Sequence, residues 1–448
     1  MRRQQSPLPP ALRIVLGLTA LVVTGTLLLM LPISGAEQPL RWNEALFTAT
    51  SALSVTGLIT ITPATDLSRF GHVVLLLLIQ IGGVGFMVGA VVVLRILGRR
   101  IGLTDRIALS DSLGLLSPAA IISLSTRVLA TVVVIELIGA ALLFLHWRTD
   151  PRLGEGEALF FALFHAVSAF CNAGIELFTG TPGYPDGSPR DTISLAIMGS
   201  LIFIGGLGIP VVAELLVYWR ERRLSLHTRL TLKAVLFLLF AGLAGFFVVE
   251  SRSGGVLAGE SLFDQLMICL FQSVSARSGG FRGIAEFTAL QPASQLLMMT
   301  LMFIGGAPAS MGGGITTGTF VALTASFWGY VRGLPTAEIG GRTLAIGTVR
   351  RAGAVLVASL FVVLLATWLL LITHDTDLDM ATFEIVSAFA TCGLSLGLTG
   401  ELNLFGQLLV CLVMFWGRLG ALTIFVAFAN RQRQARPVQY PEEQILIG

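Results

Sequence analysis

The chain has 448 residues, of which 54% are hydrophobic and only 12% are charged, and its mean hydropathy is +0.84. This composition excludes a water-soluble globule and predicts a membrane protein surrounded by lipid. The formal net charge is a mild +3, and no nucleic-acid partner is expected. The four cysteines show no paired spacing, so neither a disulfide framework nor a zinc site is indicated.

Apolar stretches long enough to cross about 30 Å of hydrocarbon predict the spanning helices. Eight such stretches occur, at 12–34, 70–97, 126–147, 192–219, 229–249, 294–330, 352–373 and 403–429. Between the members of each pair lies a segment too short to span, at 43–58, 157–175, 264–281 and 380–394. We interpret these segments as re-entrant helices and loops, which are tolerated at membrane depth only where they are buried in protein or line a watery cavity.

Basic residues predict the orientation. They cluster at the N-terminus, in the 95–127, 220–233 and 332–351 loops and in the C-terminal tail, which places both termini on the cytoplasmic side of a multi-pass protein of the cytoplasmic membrane. The first apolar stretch lacks a small-residue cleavage site, so it is expected to be retained. The opposite loops carry mostly acids. These acids either concentrate cations or are left outside by the same charge rule, and both interpretations stay open.

The four short segments are copies of one pattern, a phenylalanine followed four residues later by Ser-Ala and then by a glycine. They read FTATSALSVTGL from Phe47, FHAVSAFCNAGI from Phe164, FQSVSARSGGF from Phe271 and FEIVSAFATCGL from Phe383. The third copy is one residue shorter, which leaves Gly279 and Gly280 as alternatives. Gly280 is preferred because an apolar residue follows it, as in the other copies.

A second pattern, a glycine-rich step, recurs inside the helix after each copy, as IGGVG, IGGLG, IGGAP and WGRLG. Because each unit crosses the membrane twice, successive copies are parallel and can close around a pseudo-fourfold axis, whereas inverted repeats have an odd number of spans. The sequence therefore predicts an all-α membrane protein of four parallel helix, pore-loop, helix repeats. The repeats are 12–97, 126–222, 229–331 with an intramembrane gating loop at 305–320, and 350–431, followed by a cytoplasmic tail at 432–448.

The glycines of the four loops suit a ring of backbone carbonyls that replaces the hydration shell of a potassium ion. Glycine reaches positive φ without a side-chain clash, so it can turn carbonyls toward one axis. We expect K⁺ to bind at Gly57, Gly174, Gly280 and Gly393. The expected selectivity filter is Val55, Thr56 and Gly57; Asn172, Ala173 and Gly174; Ser278, Gly279 and Gly280; and Thr391, Cys392 and Gly393.

Two features of the following helices indicate a gate. Arg418 replaces a glycine of the second pattern, and an arginine inside a span is a functional candidate by default. It is either a positive barrier below the filter or an anchor to carbonyls at pore-helix C-termini. The run GGAPASMGGGITTGTF should break the sixth span, which implies a cavity. It is either an obstructing loop or a packing kink. The expected gating residues are Arg418, Gly312, Gly313, Gly314, Thr316 and Thr317.

Other polar residues in the apolar stretches are given structural roles. Glu136 and Glu214 are expected to pair with loop arginines, and Arg277 is expected to brace the outer backbone of the filter. No acidic residue is recognised near the filter, which disfavours a coupled secondary transporter. A nucleophile and base at matched depth are lacking too, so an intramembrane enzyme is not expected.

The loops SALSVTGL, SAFCNAGI, SARSGGF and SAFATCGL, with GGGITTGTF and WGRLG behind them, resemble the Trk/Ktr/HKT superfamily of potassium transporters over nearly the whole chain. With eight predicted spans, the chain is most similar to the Ktr membrane subunit of the KtrB type. The resemblance implies potassium uptake by a homodimer in the bilayer, with Na⁺ as a stimulator and a cytosolic RCK-type, KtrA-like nucleotide-binding ring as regulator. It also implies that the four glycines form the filter and that Arg418 and Gly312–Gly314 form the gate.

One departure from the family concerns the gate, where relatives commonly have a lysine and this chain has Thr316. A gating role for a loop cation is therefore in doubt. Two alternatives to potassium uptake stay open. One is a sodium-permeable member of the superfamily, in which a serine replaces a filter glycine. The other is a cation-coupled secondary transporter.

Overall fold

The computed structural model describes residues 10–84, 121–184 and 187–420. Several predicted features lie outside these residues: the second half of the 70–97 span, most of the 95–127 loop, the end of the 403–429 span and the tail. The described chain is almost entirely helical. Its only strands form one short antiparallel hairpin, β1 (Glu338–Ile339) with β2 (Arg342–Thr343).

The described residues form fifteen α-helices. The first seven are α1 (Pro10–Leu29), α2 (Trp42–Ser54), α3 (Pro63–Asp66), α4 (Arg69–Val84), α5 (Ile121–Trp147), α6 (Glu155–Phe170) and α7 (Thr192–Gly206). The others are α8 (Ile209–Glu221), α9 (Leu226–Glu250), α10 (Leu262–Ser275), α11 (Pro292–Ile304), α12 (Thr317–Val331), α13 (Ile346–Thr373), α14 (Leu378–Phe389) and α15 (Leu404–Leu419). Two 3₁₀ turns lie at Phe287–Ala289 and Leu398–Glu401.

Three described helices are long and apolar enough to cross a bilayer. They contain Leu129–Trp147 of α5, Leu226–Glu250 of α9 and Ile346–Thr373 of α13, and a fourth span results if the bent pair α7 and α8 is counted. Large apolar side chains on these helices face outward, such as Phe237 at 63% and Leu364 at 67% exposure. Such faces are stable against lipid rather than water.

The helices form four successive sets, each with a first helix of 20 to 28 residues, a short helix before the loop and a further helix after it. In the second and third sets a break follows this further helix. Within the described chain, each set contacts the next: α4 packs on α6, α7 on α10, α11 on α14, and α15 returns to α2. In every case the helix after one loop packs against the short helix of the following set. The contacts therefore close into a cycle in which the short helices α2, α6, α10 and α14 lie inside.

The predicted span 192–219 is wrong as a single helix. It is divided into α7 and α8, which are bent by 104°. The break follows from Gly208, whose φ is +87°, and from Pro210 in the first turn of α8, a position that favours a helix start and cannot donate to a preceding turn.

The predicted break in the span 294–330 is present, but it is shorter than the range 305–320. Helix α11 ends at Ile304 and α12 begins at Thr317. The hydroxyl of Thr316 caps α12 by accepting a hydrogen bond from the Thr319 N–H, so the last residues of the range are helical. We call residues 305–316 the broken segment.

Candidate ion pathway

The loops after the four short helices share one unusual backbone conformation. In each loop a non-glycine residue is left-handed, and the glycine two positions later also has a positive φ. The pairs are Val55 (57°) and Gly57 (96°), Asn172 (59°) and Gly174 (66°), Ser278 (83°) and Gly280 (76°), and Thr391 (47°) and Gly393 (90°). Left-handed non-glycine residues are uncommon, so their recurrence at one position shows that the four loops have the same local structure.

A backbone hydrogen bond fixes the register of the third loop. In three loops the residue before the glycine donates its N–H to the carbonyl oxygen of the helix serine. These bonds are Thr56 to Ser51 at 2.8 Å, Ala173 to Ser168 at 2.7 Å and Cys392 to Ser387 at 2.9 Å. In the third loop Gly279 makes the short bond to Ser275, at 2.6 Å. Gly280 therefore occupies the position of Gly57 although this copy is one residue shorter.

The hydroxyl of the same serine makes a second contact with each loop. Ser51 and Ser387 accept hydrogen bonds from the N–H groups of Gly57 and Gly393, at 3.0 and 3.1 Å. Ser168 and Ser275 instead donate to the carbonyl oxygens of the residues after the glycines, Ile175 at 2.7 Å and Phe281 at 2.6 Å. One buried serine thus holds each loop at two points. The repeat pattern in the sequence contains these serines, but it did not predict that their hydroxyls bind the loops.

The four glycines lie against one another in cyclic order. A Cβ built on Gly174 would lie 2.6 Å from the Cα of Gly280, and one on Gly393 would lie 2.8 Å from the Cα of Gly57. A Cβ on Gly57 would clash with the Ala173 carbonyl, and one on Gly280 with the Cys392 carbonyl. Glycine is therefore required at each position both by space and by positive φ.

All twelve residues expected to form the filter lie in these loops. Ten are buried, while Gly174 and Gly393 are partly exposed. The structure therefore brings together the residues that the sequence grouped from four distant parts of the chain. No carboxylate belongs to these twelve residues.

Arg418, at the end of α15, binds backbone carbonyls of two other sets. Its Nη1 donates to Met311 of the broken segment at 2.6 Å, and its Nη2 donates to Gly82 and, at 3.2 Å, to Gly83 at the end of α4. Arg418 is thus bound to backbone carbonyls, as one of its two interpretations has it, but these carbonyls do not belong to the C-termini of the short helices. The accepting carbonyls belong to the last turn of α4 and to the segment between α11 and α12, and the bonds are charge-assisted.

The broken segment lies against the third and fourth loops. The Gly313 N–H donates to the Ser278 hydroxyl at 3.2 Å, and that hydroxyl in turn donates to the Thr391 carbonyl at 2.9 Å. A Cβ on Gly313 would meet the Ala390 carbonyl at 2.8 Å, so only glycine fits this close approach. Gly312 also lies near Ser278. The glycines of the segment therefore allow its backbone to pack directly on the loops.

Further bonds attach this segment to the break between α7 and α8. The carbonyl oxygens of Gly205 and Gly206 accept from Met311 at 3.3 Å and from Ala307 at 3.1 Å. Gly314 has a φ of +82°, Thr316 caps α12, and Thr317 is buried with its hydroxyl unpartnered. The two helix breaks thus satisfy some of each other's free backbone groups, which explains why they occur side by side.

Among the described residues, three charged side chains make hydrogen bonds other than the expected ones. Arg277 does not bind the outer backbone of the filter. Its Nη2 donates to the Gly305 carbonyl at 3.0 Å, where the broken segment begins. Glu136 accepts hydrogen bonds from the Gln80 amide at 3.1 Å and from the Cys171 thiol at 3.6 Å. Similarly, Glu214 accepts from the Ser225 N–H at 2.9 Å.

Acidic residues near the loops were also overlooked. Glu384 lies on α14 and is completely buried, and Glu136 contacts Cys171, which immediately precedes the second loop. The sequence did contain a signal for Glu384, because the residue after the phenylalanine is polar in all four copies. Glu136 gave no such signal, since its neighbour Cys171 lies 35 positions away in the chain.

Comparison with known proteins places this arrangement in a family. Residues 12–440 match the TrkH family, described as cation transport protein. The chain belongs to the TrkH family. It is therefore an ion transporter of a membrane rather than an enzyme, in agreement with its long apolar helices.

Relatives of this TrkH-family chain match it over nearly its full length. Ktr system potassium uptake protein B of Bacillus subtilis is 36% identical and covers 98% of the chain and 97% of the relative. Potassium/sodium uptake protein NtpJ of Enterococcus hirae is 33% identical over 100% of the chain and 99% of the relative. The expected similarity to the Ktr membrane subunit is confirmed.

A solved structure shares the fold of this TrkH-family chain. The potassium transporter TrkH from Vibrio parahaemolyticus superposes with a TM-score of 0.74, covering 95% of this chain and 86% of that one. The sequence identity is 19%, so the likeness concerns the fold alone. It supports the all-helical architecture described above.

Proposed function

We propose that this TrkH-family protein takes up potassium across the cytoplasmic membrane through a channel-like pathway. The observation that carries the proposal is the meeting of four loops of equal backbone conformation at Gly57, Gly174, Gly280 and Gly393. The relatives in Bacillus subtilis and Enterococcus hirae are named for potassium uptake and for potassium/sodium uptake, which supports the choice of ion.

In this proposal the twelve loop residues form a selectivity filter whose ligands are backbone carbonyls. In the first loop, Val55 and Gly57 have positive φ and Thr56 between them does not. Such an alternation turns the carbonyl groups of successive residues toward the same side of the backbone. Such a row of carbonyls can replace the hydration shell of K⁺. The serine hydroxyls support this assignment because they hold each loop at two points, and ligand position matters for an ion without its water.

The proposed architecture is four parallel repeats around a pseudo-fourfold pore. The cyclic contacts of the short helices support this arrangement. We retain the boundaries 12–97, 126–222, 229–331 and 350–431 for the repeats and 432–448 for the tail. The termini are proposed to be cytoplasmic, because the positive-inside rule places the arginine-rich loops there.

The proposed gate consists of Arg418, the broken segment and the first residue of α12. The gating residues of the segment are Gly312, Gly313, Gly314 and Thr316, and Thr317 begins α12. The Arg418 guanidinium is joined to Met311 and the segment packs on two filter loops. A shift of the segment would therefore change how far it obstructs the pathway below the filter loops. It would also move the positive charge of Arg418. In this chain the gate uses the arginine of α15 and no lysine after Ile315.

We further propose that the protein works as a homodimer with an RCK-type, KtrA-like cytosolic ring, and that Na⁺ stimulates it. The word "system" in the names of the Ktr relatives supports an assembly with another subunit. The hairpin β1–β2 lies in the predicted cytoplasmic loop at 332–351, and the end of α12, where Tyr330 is 86% exposed, immediately precedes this loop. They offer a surface for such a partner.

The experiment is potassium-limited growth and rubidium uptake in a bacterium that lacks its own uptake systems. Wild-type protein should rescue growth and accumulate Rb⁺ over Na⁺. Gly57→Ser should lose uptake or selectivity, since its Cβ would meet the Ala173 carbonyl at a φ of +96°. The matched control is Gly156→Ser, because nothing lies within 4 Å of a Cβ there.

The outcomes separate the proposals. A wild-type protein that moves no Rb⁺, even with a regulatory partner supplied, contradicts potassium uptake. Equal uptake of Na⁺ and Rb⁺ by the wild type favours the sodium-permeable alternative. A well-expressed Gly57→Ser protein that matches the wild type would show that the filter lies elsewhere.

Glu136 favours a second candidate function, a cation-coupled secondary transporter. It is 4% exposed, lies in the interior of α5 and has Gln80 and Cys171 as hydrogen-bond partners. A buried carboxyl of this kind is a candidate for binding a coupling proton or Na⁺. Glu136→Gln in proteoliposomes decides: a channel-like pathway keeps Rb⁺ flux down its gradient, whereas coupled transport loses proton- or sodium-driven accumulation.

A further inference from the structure

The residue after the phenylalanine is polar and buried in all four short helices. Thr48, His165, Gln272 and Glu384 occupy this position, and each has an exposure of 0%. The surrounding helix faces are largely apolar. Buried polar side chains are normally hydrogen-bonded, so the partners of these four residues indicate what the position does.

Two of them bind the chain just after it leaves its loop. His165 Nε2 accepts a hydrogen bond from the Leu177 N–H at 3.2 Å, while its Nδ1 donates to a helix carbonyl. Gln272 Oε1 accepts from the Gly283 N–H at 3.0 Å. Both donors lie three residues beyond the glycine of their loop. These side chains therefore tie the exit of each loop back to its own helix.

Glu384 makes the corresponding tie in the fourth copy, but through a carboxyl group. Its Oε2 accepts from the Ser395 hydroxyl at 2.6 Å and its Oε1 from the Thr399 hydroxyl at 2.5 Å. Ser395 is two residues beyond Gly393. Since both carboxyl oxygens are engaged by the exit segment, the geometry fits a holding group better than a cation ligand.

The charge environment agrees with a holding role. Arg282, two residues beyond Gly280, interacts electrostatically with Glu384 and with Glu176, which stands two residues beyond Gly174. An isolated buried carboxylate is costly, and a guanidinium nearby reduces that cost. The second, third and fourth copies thus each contribute one residue, Glu176, Arg282 and Glu384, to a cluster of charges at the loop exits. In the first copy, by contrast, the hydroxyls of Thr48 and Thr60 lack partners.

We propose that Glu384 is a selectivity-determining positioning residue. By holding Ser395 and Thr399, it fixes the fourth exit segment and hence the spacing of the carbonyls at Thr391–Gly393. This inference rests on the proposed function, because it assumes that the loops select the ion. A looser fourth loop would accommodate the smaller Na⁺ better, so its loss changes the ratio of ions and not only the rate.

The test measures the ratio of Na⁺ to Rb⁺ uptake in proteoliposomes of the full chain. Thr399→Val removes one tie and should raise this ratio about fivefold, the factor expected for the loss of one hydrogen bond. Glu384→Ala removes both ties and should raise the ratio further. Glu384→Gln should restore a ratio near that of the wild type, since its amide can contact both hydroxyls. The control is Thr382→Val, because this exposed hydroxyl on the same helix only binds the Leu378 carbonyl.

The outcomes distinguish this inference from the proposed function. A wild type that transports no Rb⁺ contradicts the proposed function itself. A transporting wild type whose Glu384→Ala and Thr399→Val variants keep its ion ratio overturns the role of Glu384. An equal change in Thr382→Val also overturns it. If Glu384→Ala does not fold, Thr399→Val and Ser395→Ala decide the question alone.

Discussion

The Nη1 atom of Arg418 lies 2.6 Å from the carbonyl oxygen of Met311. The residues are 107 positions apart, and the contact joins the end of α15 to the broken segment. The same guanidinium also binds Gly82 and Gly83 on α4. A planar fork with five donors can serve three carbonyls at once, which the compact ammonium of a lysine cannot do in the same geometry.

Removal of this guanidinium is expected to free the broken segment. In Arg418→Ala the Met311 carbonyl loses its donor, and the basal rate of Rb⁺ uptake without a partner subunit should rise severalfold. Arg418→Lys keeps the charge but not the fork, so it should resemble Arg418→Ala if the contacts matter and the wild type if the charge alone matters. Rubidium uptake into proteoliposomes measures all three. Equal rates in all three proteins would contradict a gating role.

The close approach of Gly313 to the fourth loop gives a second prediction. Gly313→Ala places a Cβ 2.8 Å from the Ala390 carbonyl, so the segment must shift away from the loops. We expect a higher basal Rb⁺ uptake with little change in the ratio of Na⁺ to Rb⁺. Gly347→Ala is the control, since nothing lies within 4 Å of a Cβ there. A slower uptake in Gly313→Ala alone would argue against an obstructing segment.

The serine hydroxyls give a third prediction, which concerns stability and selectivity together. Ser387→Ala leaves the partly buried Gly393 N–H without its acceptor, at a cost of about 1 kcal/mol in the free energy of unfolding. The Tm should fall and the ratio of Na⁺ to Rb⁺ uptake should rise. In the control, Ser359→Ala, the lost hydroxyl only binds a helix carbonyl, that of Val355. An unchanged ratio of Na⁺ to Rb⁺ uptake in Ser387→Ala would show that this serine does not contribute to ion selectivity.

A fourth prediction concerns pH and the loop after α5. Hydrogen bonds from the Arg152 guanidinium hold the pKa of the Asp150 carboxyl well below its usual range, and the Tyr184 hydroxyl also donates to it, at 2.6 Å. A depressed pKa in the folded state stabilises the protein above the unfolded pKa of about 4, and this contribution is lost as the pH falls further.

The difference in Tm between wild type and Asp150→Asn should therefore be constant from about pH 5 to 8 and should shrink below about pH 4. Thermal unfolding in detergent across this range measures it. Glu157→Gln serves as the control, because this exposed acid lies in the same region. A difference that grows on acidification would have the wrong sign for the proposed contacts.

The sequence predicted the fold to the level of its units but not the course of its second helices. The run GGAPASMGGGITTGTF indicated the broken segment, whereas the bend between α7 and α8 was missed. An apolar stretch that contains Pro210 can be a straight or a bent span. The bend depends on carbonyl groups at Gly205 and Gly206 that find donors at Met311 and Ala307, in another part of the chain.

The site shows the same division. Repetition identified the four glycines, and the bond from Gly279 to Ser275 agrees with the chosen register of the third loop. The partners of Arg277, Glu136 and Glu384 could not be derived in this way. The sequence offers several possible hydrogen-bond partners for each of these side chains. Only the packing of separate helices decides which partner lies at hydrogen-bond distance.

The sequence alone therefore determined the apolar surroundings of the chain, the four copies of the loop and the positions that require glycine. The apolar surroundings follow from the composition of the chain. The loop copies and their glycines follow from a local backbone geometry that is the same in every copy. Only the tertiary structure decided how Arg418 is bound, that the chain bends between α7 and α8, and which groups hold the loop exits. These contacts join residues of different copies, and their free energy depends on burial and distance that exist only once the units have packed together.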